Sequence, residues 1–403
     1  KAFPFMFVLC ISLTPLLAVE VPRMLSFWPM LIGLIMSCWL VFGLREKLII
    51  PRGYIICAAV ISGLALVSCL WSIAPEKALK DAIKVTAILG FGSLWIGLCN
   101  SVDIEKTLPY LKKMPFVFFT LAAVLILFEL LLDMPLYRII RGLETHEYAN
   151  PSEMNRGIVC LAMFYFIALG FVQKHVFEKK SQRQALYLLL TAPLLFIFII
   201  SESQSSQIAF LVGVIALTLL PCKSNITYPV LAFAIAVVMA LTPFIVDMLY
   251  DFLVGYGQKM PWLSDAYAGN RAEIWHFVTV YAMHNPLYGY GIEATSFIDY
   301  FQHGHIYHES DTVLHPHNFS VQVWMEFGAI GVMIFSALFY LALNSVKNTS
   351  PISRKYLLAV MAPAILVSSV AYGMWQSWWI GYIIFILGIA IFMNRNILRT
   401  QSI

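Results

Sequence analysis

Apolar residues fall in runs of about 17 to 25 along almost the whole chain, each long enough to cross a bilayer core of about 30 Å. Twelve such runs can be set out: 2–19, 24–44, 53–71, 83–100, 115–133, 156–173, 184–200, 203–220, 228–247, 318–344, 356–371 and 375–393. A transmembrane barrel would instead show segments of about ten residues with alternating polarity. The pattern predicts an all-α polytopic membrane protein with about twelve transmembrane helices, forming a single integral membrane domain over 1–403. The first run lacks a small-residue cleavage site behind it, so it is read as a span rather than a signal peptide.

An even number of spans puts both termini on one side, and basic residues choose that side. Lys112, Lys113, Lys179, Lys180, Arg183 and Lys355 all fall on the terminal side, which is therefore expected to be cytoplasmic. Composition sharpens the class: 60% of the residues are hydrophobic and 12% charged, against about 25% charged in soluble domains. The net charge of +4 follows from the loop asymmetry. No basic patch with interleaved aromatics points to nucleic acid. The seven cysteines avoid the external loops, so neither a disulfide framework nor a CxxC metal site is implied.

Two external segments interrupt the short connections, at 134–155 and 248–317. The second, a large periplasmic loop between spans nine and ten, is too long to be structureless in a compact protein. Ile274, Phe277, Val278 and Tyr281 recur at helical spacing, which predicts a helix from Glu273 to Met283. Asn285-Pro286 should end it, and Tyr288-Gly289-Tyr290-Gly291 should turn. Trp28, Trp71, Tyr372, Trp375, Trp378 and Trp379 gather at the outer ends of spans. They are expected to form an aromatic belt at the membrane surface, with a sugar-stacking platform as the alternative.

Candidate chemistry concentrates where the large loop meets the tenth span, at His315-Pro316-His317-Asn318. Asn318 and the helix behind it would hold His317 at a helix N-terminus, where a protonated ring is disfavoured. A neutral imidazole is what a general base needs. Arg271, in the same loop, offers a planar fork for phosphate; an ion pair with Glu273 or Asp265 is the bland alternative. Arg156 stands at the outer end of the sixth span, against the charge rule, either snorkelling to the interface or holding an anionic headgroup. Lys77, Lys80 and Lys84 share one external face and could form a basic rim for a pyrophosphate. Glu326 lies in the tenth span and should have a partner, either Arg271 or another helix. A histidine base and an arginine at one membrane face suggest chemistry on a lipid-linked phosphate. A metal site among His303, His305, His308, Glu309 and Asp311 matches no helical zinc spacing. Neither a Walker loop nor a paired Asp motif in a short external loop is present, so a metal-independent reaction without a cofactor is expected.

Asn270-Arg271-Ala272-Glu273-Ile274-Trp275, His284-Asn285-Pro286-Leu287-Tyr288-Gly289-Tyr290-Gly291, His315-Pro316-His317-Asn318 and Glu326-Phe327-Gly328 occur in that order. Together they resemble the O-antigen ligase/polymerase superfamily over roughly 150 to 335. The resemblance implies a GT-C-like membrane glycosyltransferase of the bacterial inner membrane, working metal-independently and with inversion at the periplasmic face. The implied donor is a glycan on undecaprenyl pyrophosphate and the implied acceptor the lipid A–core oligosaccharide, alongside the membrane lipids themselves. His317 matches the family's catalytic histidine and Arg271 its loop arginine. Arg156, Lys80 and Lys84 become candidates for the donor pyrophosphate, with His315, Asn318, Glu326 and Gln204 in support. At Gln204 the chain departs from the family, which commonly has arginine there. A polymerase using the same donor is the nearest alternative. A transporter or flippase is the rival from another class, but it would favour polar or broken helices near the bilayer midplane.

Overall fold

The computed structural model describes residues 2–144, 146–173, 176–201, 203–256, 268–298 and 313–395. Among these the chain is helical, with no strand. The helices are α1 (Ala2–Glu20), α2 (Trp28–Cys38), α3 (Arg52–Ser68), α4 (Pro75–Ser101), α5 (Ile104–Leu111), α6 (Met114–Leu131), α7 (Pro135–Arg141), α8 (Asn155–Phe171), α9 (Lys180–Ile200), α10 (Gln204–Thr218), α11 (Thr227–Tyr256), α12 (Ala268–Ala282), α13 (Phe319–Lys347), α14 (Pro351–Val370) and α15 (Ser377–Met393). Among the described residues, eight helices are long and apolar enough to cross a membrane. The other four expected spans correspond to shorter apolar helices, Trp28–Gly43, Arg52–Ser68, Gln204–Thr218 and Ser377–Met393.

A helix that is apolar all round belongs in the middle of a bundle. α8 is that helix: every residue from Gly157 to Phe171 is buried. It packs against α1, α6, α9, α10, α14 and α15. Its first turn carries Arg156. The expected helix in the large loop is present as α12, starting five residues early. Ile274, Val278 and Ala282, four apart, bury against Val321 and Met325 of α13.

α13 is broken at Gly328, whose backbone (φ 57°, ψ −152°) is not helical. A break in a buried helix leaves backbone groups unpaired, at several kcal/mol each where no water can reach. Here the 286–291 segment supplies the partners. The amides of Tyr290 and Gly291 donate to Met325 and Glu326 carbonyls, both at 2.9 Å. The amides of Ala329 and Ile330 donate to Pro286 and Leu287 carbonyls at 2.8 and 3.1 Å. Two sequence motifs thus clasp each other. The same strap reaches α3 and the turn after it. Trp71 Nε1 donates to the Tyr288 carbonyl at 3.0 Å, and the Ile292 amide to Ser68 Oγ at 3.2 Å.

Glycine is required on both halves of the clasp. A Cβ on Gly328 would lie 2.6 Å from the Pro286 carbonyl oxygen, and one on Gly289 would lie 2.6 Å from backbone atoms of Glu326 and Phe327. Gly328→Ala therefore meets backbone on every side, and its conformation alone costs a non-glycine residue about 1–3 kcal/mol. The expected outcome is a clearly lowered melting temperature in detergent, or no folded protein. An unchanged melting temperature would contradict the clasp.

Candidate active site

The site is built where α8, α12, α13 and the 371–376 turn between α14 and α15 meet at one end of the bundle. α13 starts with Asn318 as its cap, whose side chain accepts from the amides of Ser320 (3.0 Å) and Val321 (3.1 Å). His317, just before the cap, has φ +54°. A bulky residue in the left-handed region is uncommon and is held there only by its surroundings. Two contacts do so. Trp275 of α12 donates its indole N–H to the Pro316 carbonyl at 2.7 Å, and His317 Nδ1 lies 2.7 Å from the Ala371 carbonyl.

A carbonyl can only accept, so Nδ1 carries the proton and Nε2 keeps its lone pair. This is the usual way in which one ring nitrogen is fixed by the bond the other makes. Burial holds the ring of His317 below the ordinary histidine value, with the charge of Arg271 adding to it and the Ala371 bond working the other way. The helix-end argument from sequence gave the same direction; burial is the larger cause. His315 lies against His317, with ring centroids 4.3 Å apart and planes tilted by 51°. Its Nε2 accepts from the Gln376 amide at 2.8 Å, and Gln376 is oriented by Trp378 Nε1, which donates to its oxygen at 3.0 Å. Burial, then His317, pushes His315 down to about 4, so it stays neutral and its acceptor nitrogen is occupied.

Arg271 lies within α12, half-buried and in electrostatic reach of His317 and Tyr372. Among the described residues no ion pair includes it; of its two expected bland partners, Asp265 lies outside those residues. Arg156 sits over the Trp378 ring, 5.9 Å from its centroid, and 3.7 Å from Glu153. The two guanidiniums share a neighbour that the sequence reading had placed in the aromatic belt. Burial raises the Tyr372 phenol above its ordinary value, while Arg156 and Arg271 both pull it down. Tyr372 packs edge-on to Trp378 at 4.7 Å. The belt itself is corrected: Trp375, Trp378 and Trp379 are buried in protein, because they pack against α8, the 371–376 turn and one another.

Glu326 does not orient Arg271. It is fully buried, and its oxygens accept from Gln322 Nε2 at 2.8 Å and Trp375 Nε1 at 2.5 Å. Through Glu293, whose backbone hydrogen-bonds to it, Glu326 also faces a charged cluster. Asp81 pairs with Lys77 and with Lys84, and Glu293 faces all three. Of the three lysines expected to form a basic rim, Lys77 and Lys84 are part-exposed and paired with Asp81, and Lys80 is exposed and has no ion pair among the described residues. Gln204 sits in the first turn of α10 with its side chain exposed, and no recorded bond links it to His317, Arg271 or Tyr372. Among the described residues no group of three or more His, Cys, Asp or Glu could hold a metal ion. His303, His305, His308, Glu309 and Asp311 lie outside those residues.

The class defined so far is a polytopic helical membrane protein with a histidine–arginine site at one end. Comparison with known proteins points to one family. Residues 188–336 match the model described as O-antigen ligase. A Rickettsia bellii protein named "Putative polysaccharide ligase" is 27% identical over 343 residues, covering 81% of this chain and 77% of that one. A Rickettsia conorii protein of the same name is 26% identical over 335 residues, covering 80% and 75%. The match supports the resemblance read from the motifs, since 188–336 includes Arg271, His317 and Glu326.

Proposed function

We propose that this protein is an O-antigen ligase of the bacterial inner membrane, with both termini cytoplasmic and the site facing the periplasm. It transfers a glycan from undecaprenyl pyrophosphate to the lipid A–core oligosaccharide. The observation that carries the mechanism is the Nδ1–Ala371 bond of His317. It leaves Nε2 as a neutral base beside a half-buried arginine. His317 Nε2 takes the proton of the acceptor hydroxyl. The acceptor oxygen attacks the anomeric carbon from the face opposite the leaving group. The carbon–oxygen bond to the pyrophosphate breaks, its electron pair stays on the phosphate oxygen, and configuration inverts. Arg271, with Arg156 behind Tyr372, stabilises the leaving charge, a preorganised electrostatic role.

The test is the lipopolysaccharide ladder of a strain lacking this protein. Complete loss of O-antigen bands supports ligation. A core carrying a single repeat unit means a polymerase instead, and an unchanged ladder removes both.

Transfer by the purified protein should persist in excess EDTA, because guanidiniums take the part of a divalent ion at the pyrophosphate. Complete loss of activity, restored by Mg²⁺, Mn²⁺ or Zn²⁺, would place a metal in the reaction.

A further inference from the structure

Gln322 and Glu326 are one helical turn apart on α13, the helix that begins directly behind His317. Both are buried, with 1% and 0% exposure. A carboxylate and an amide placed so deep must have their bonds satisfied: apart from a bond between Glu326 and the backbone of Glu293, their side chains bond each other and the turn that follows α14. Glu326 Oε1 accepts from Gln322 Nε2, and Glu326 Oε2 from Trp375 Nε1. Gln322 Oε1 accepts from the Met374 amide at 2.9 Å. The same turn presents the Ala371 carbonyl to His317 and Gln376 to His315. A closed circuit results: α13 fixes the backbone of His317 at one point and, four and eight residues after Asn318, fixes the turn that grips the imidazole.

We propose that Gln322 and Glu326 are positioning residues for His317, acting through Trp375 and Met374 to hold the 371–376 turn where the Ala371 carbonyl selects the ring's tautomer and aim. Both oxygens of Glu326 are committed to these bonds, so it acts through its neighbours rather than on substrate. The inference rests on His317 being the base. The charged groups that face His317 are His315 beside it, Arg271 from α12 and Tyr372 from the turn, with Arg156 of α8 behind Tyr372.

The experiment uses the full-length protein in detergent with lipid-linked donor and acceptor. Trp375→Phe keeps a ring and removes only the N–H. Glu326→Gln sets an amide donor against one of two donors, and Gln322→Leu removes both of its bonds. Each should lower kcat about 10- to 100-fold through loss of aim, with donor KM changed no more than about twofold. The acid limb of kcat/KM should move to lower pH, because the lost Ala371 bond favours the protonated ring. Glu326→Asp, which keeps two acceptors, should recover part of kcat. Native kcat in Trp375→Phe and Glu326→Gln would overturn the proposal. So would a KM that rises as far as kcat falls with the acid limb in place. His317→Ala is assayed alongside. If it is inactive while the other variants are native, the positioning idea alone falls; if it is active, the base assignment falls and takes the idea with it.

Discussion

His317→Ala abolishes glycan transfer while leaving the protein folded and inserted. A positioned general base is worth about 10²- to 10⁴-fold, and alanine offers no acceptor for the hydroxyl proton. The fold should tolerate the change, because Asn318 still caps α13 and Trp275 still holds Pro316. The native enzyme should carry a further signature. Its imidazole is held below the ordinary histidine value by burial and by Arg271. The neutral, basic form therefore persists below pH 6.5, and activity should fall only in more acidic solution. Transfer by purified His317→Ala at near the native rate would remove the base role.

Arg271→Ala weakens use of the donor far more than use of the acceptor. A lost hydrogen bond to a charged group costs about 1.5–3 kcal/mol, or roughly a tenfold to hundredfold drop in donor efficiency. Arg271→Lys should restore only part, since an ammonium lacks the planar fork. Steady-state kinetics at varied donor decide it: an unchanged donor dependence would take Arg271 out of the site. Because Arg271 also helps hold the His317 ring neutral, the alanine variant should move the acid limb towards higher pH, opposite to the shift expected of the α13 variants.

Much of this was legible in one dimension. Long apolar runs gave the helices because lipid and protein interior make the same demand on composition. The order of polar motifs gave His317 and Arg271, since chemistry at a membrane rim needs few residue types. What was not legible came from contacts between distant segments. The partners of Glu326 lie 49 residues away at Trp375 and, through Gln322, 52 residues from it at Met374. Nothing local marks such a bond. The tryptophans at 375, 378 and 379 were misread because enrichment at span ends does not say which way a ring turns. Asp81 is a different case. It stands four residues after Lys77 and three before Lys84, and that spacing alone announces the pairing.

The clasp between 286–291 and the break at Gly328 also constrains how the protein is made. About forty residues separate its two halves, and the 286–291 half leaves the ribosome first. The tenth span arrives with four backbone groups that its own helix cannot satisfy. It is therefore not a freestanding hydrophobic segment that can slide into lipid and wait for neighbours. The strap must already be in place beside α12 when α13 docks. Insertion of span ten and closure of the site are one event, and a chain stalled before it would hold an unfinished helix rather than an idle enzyme.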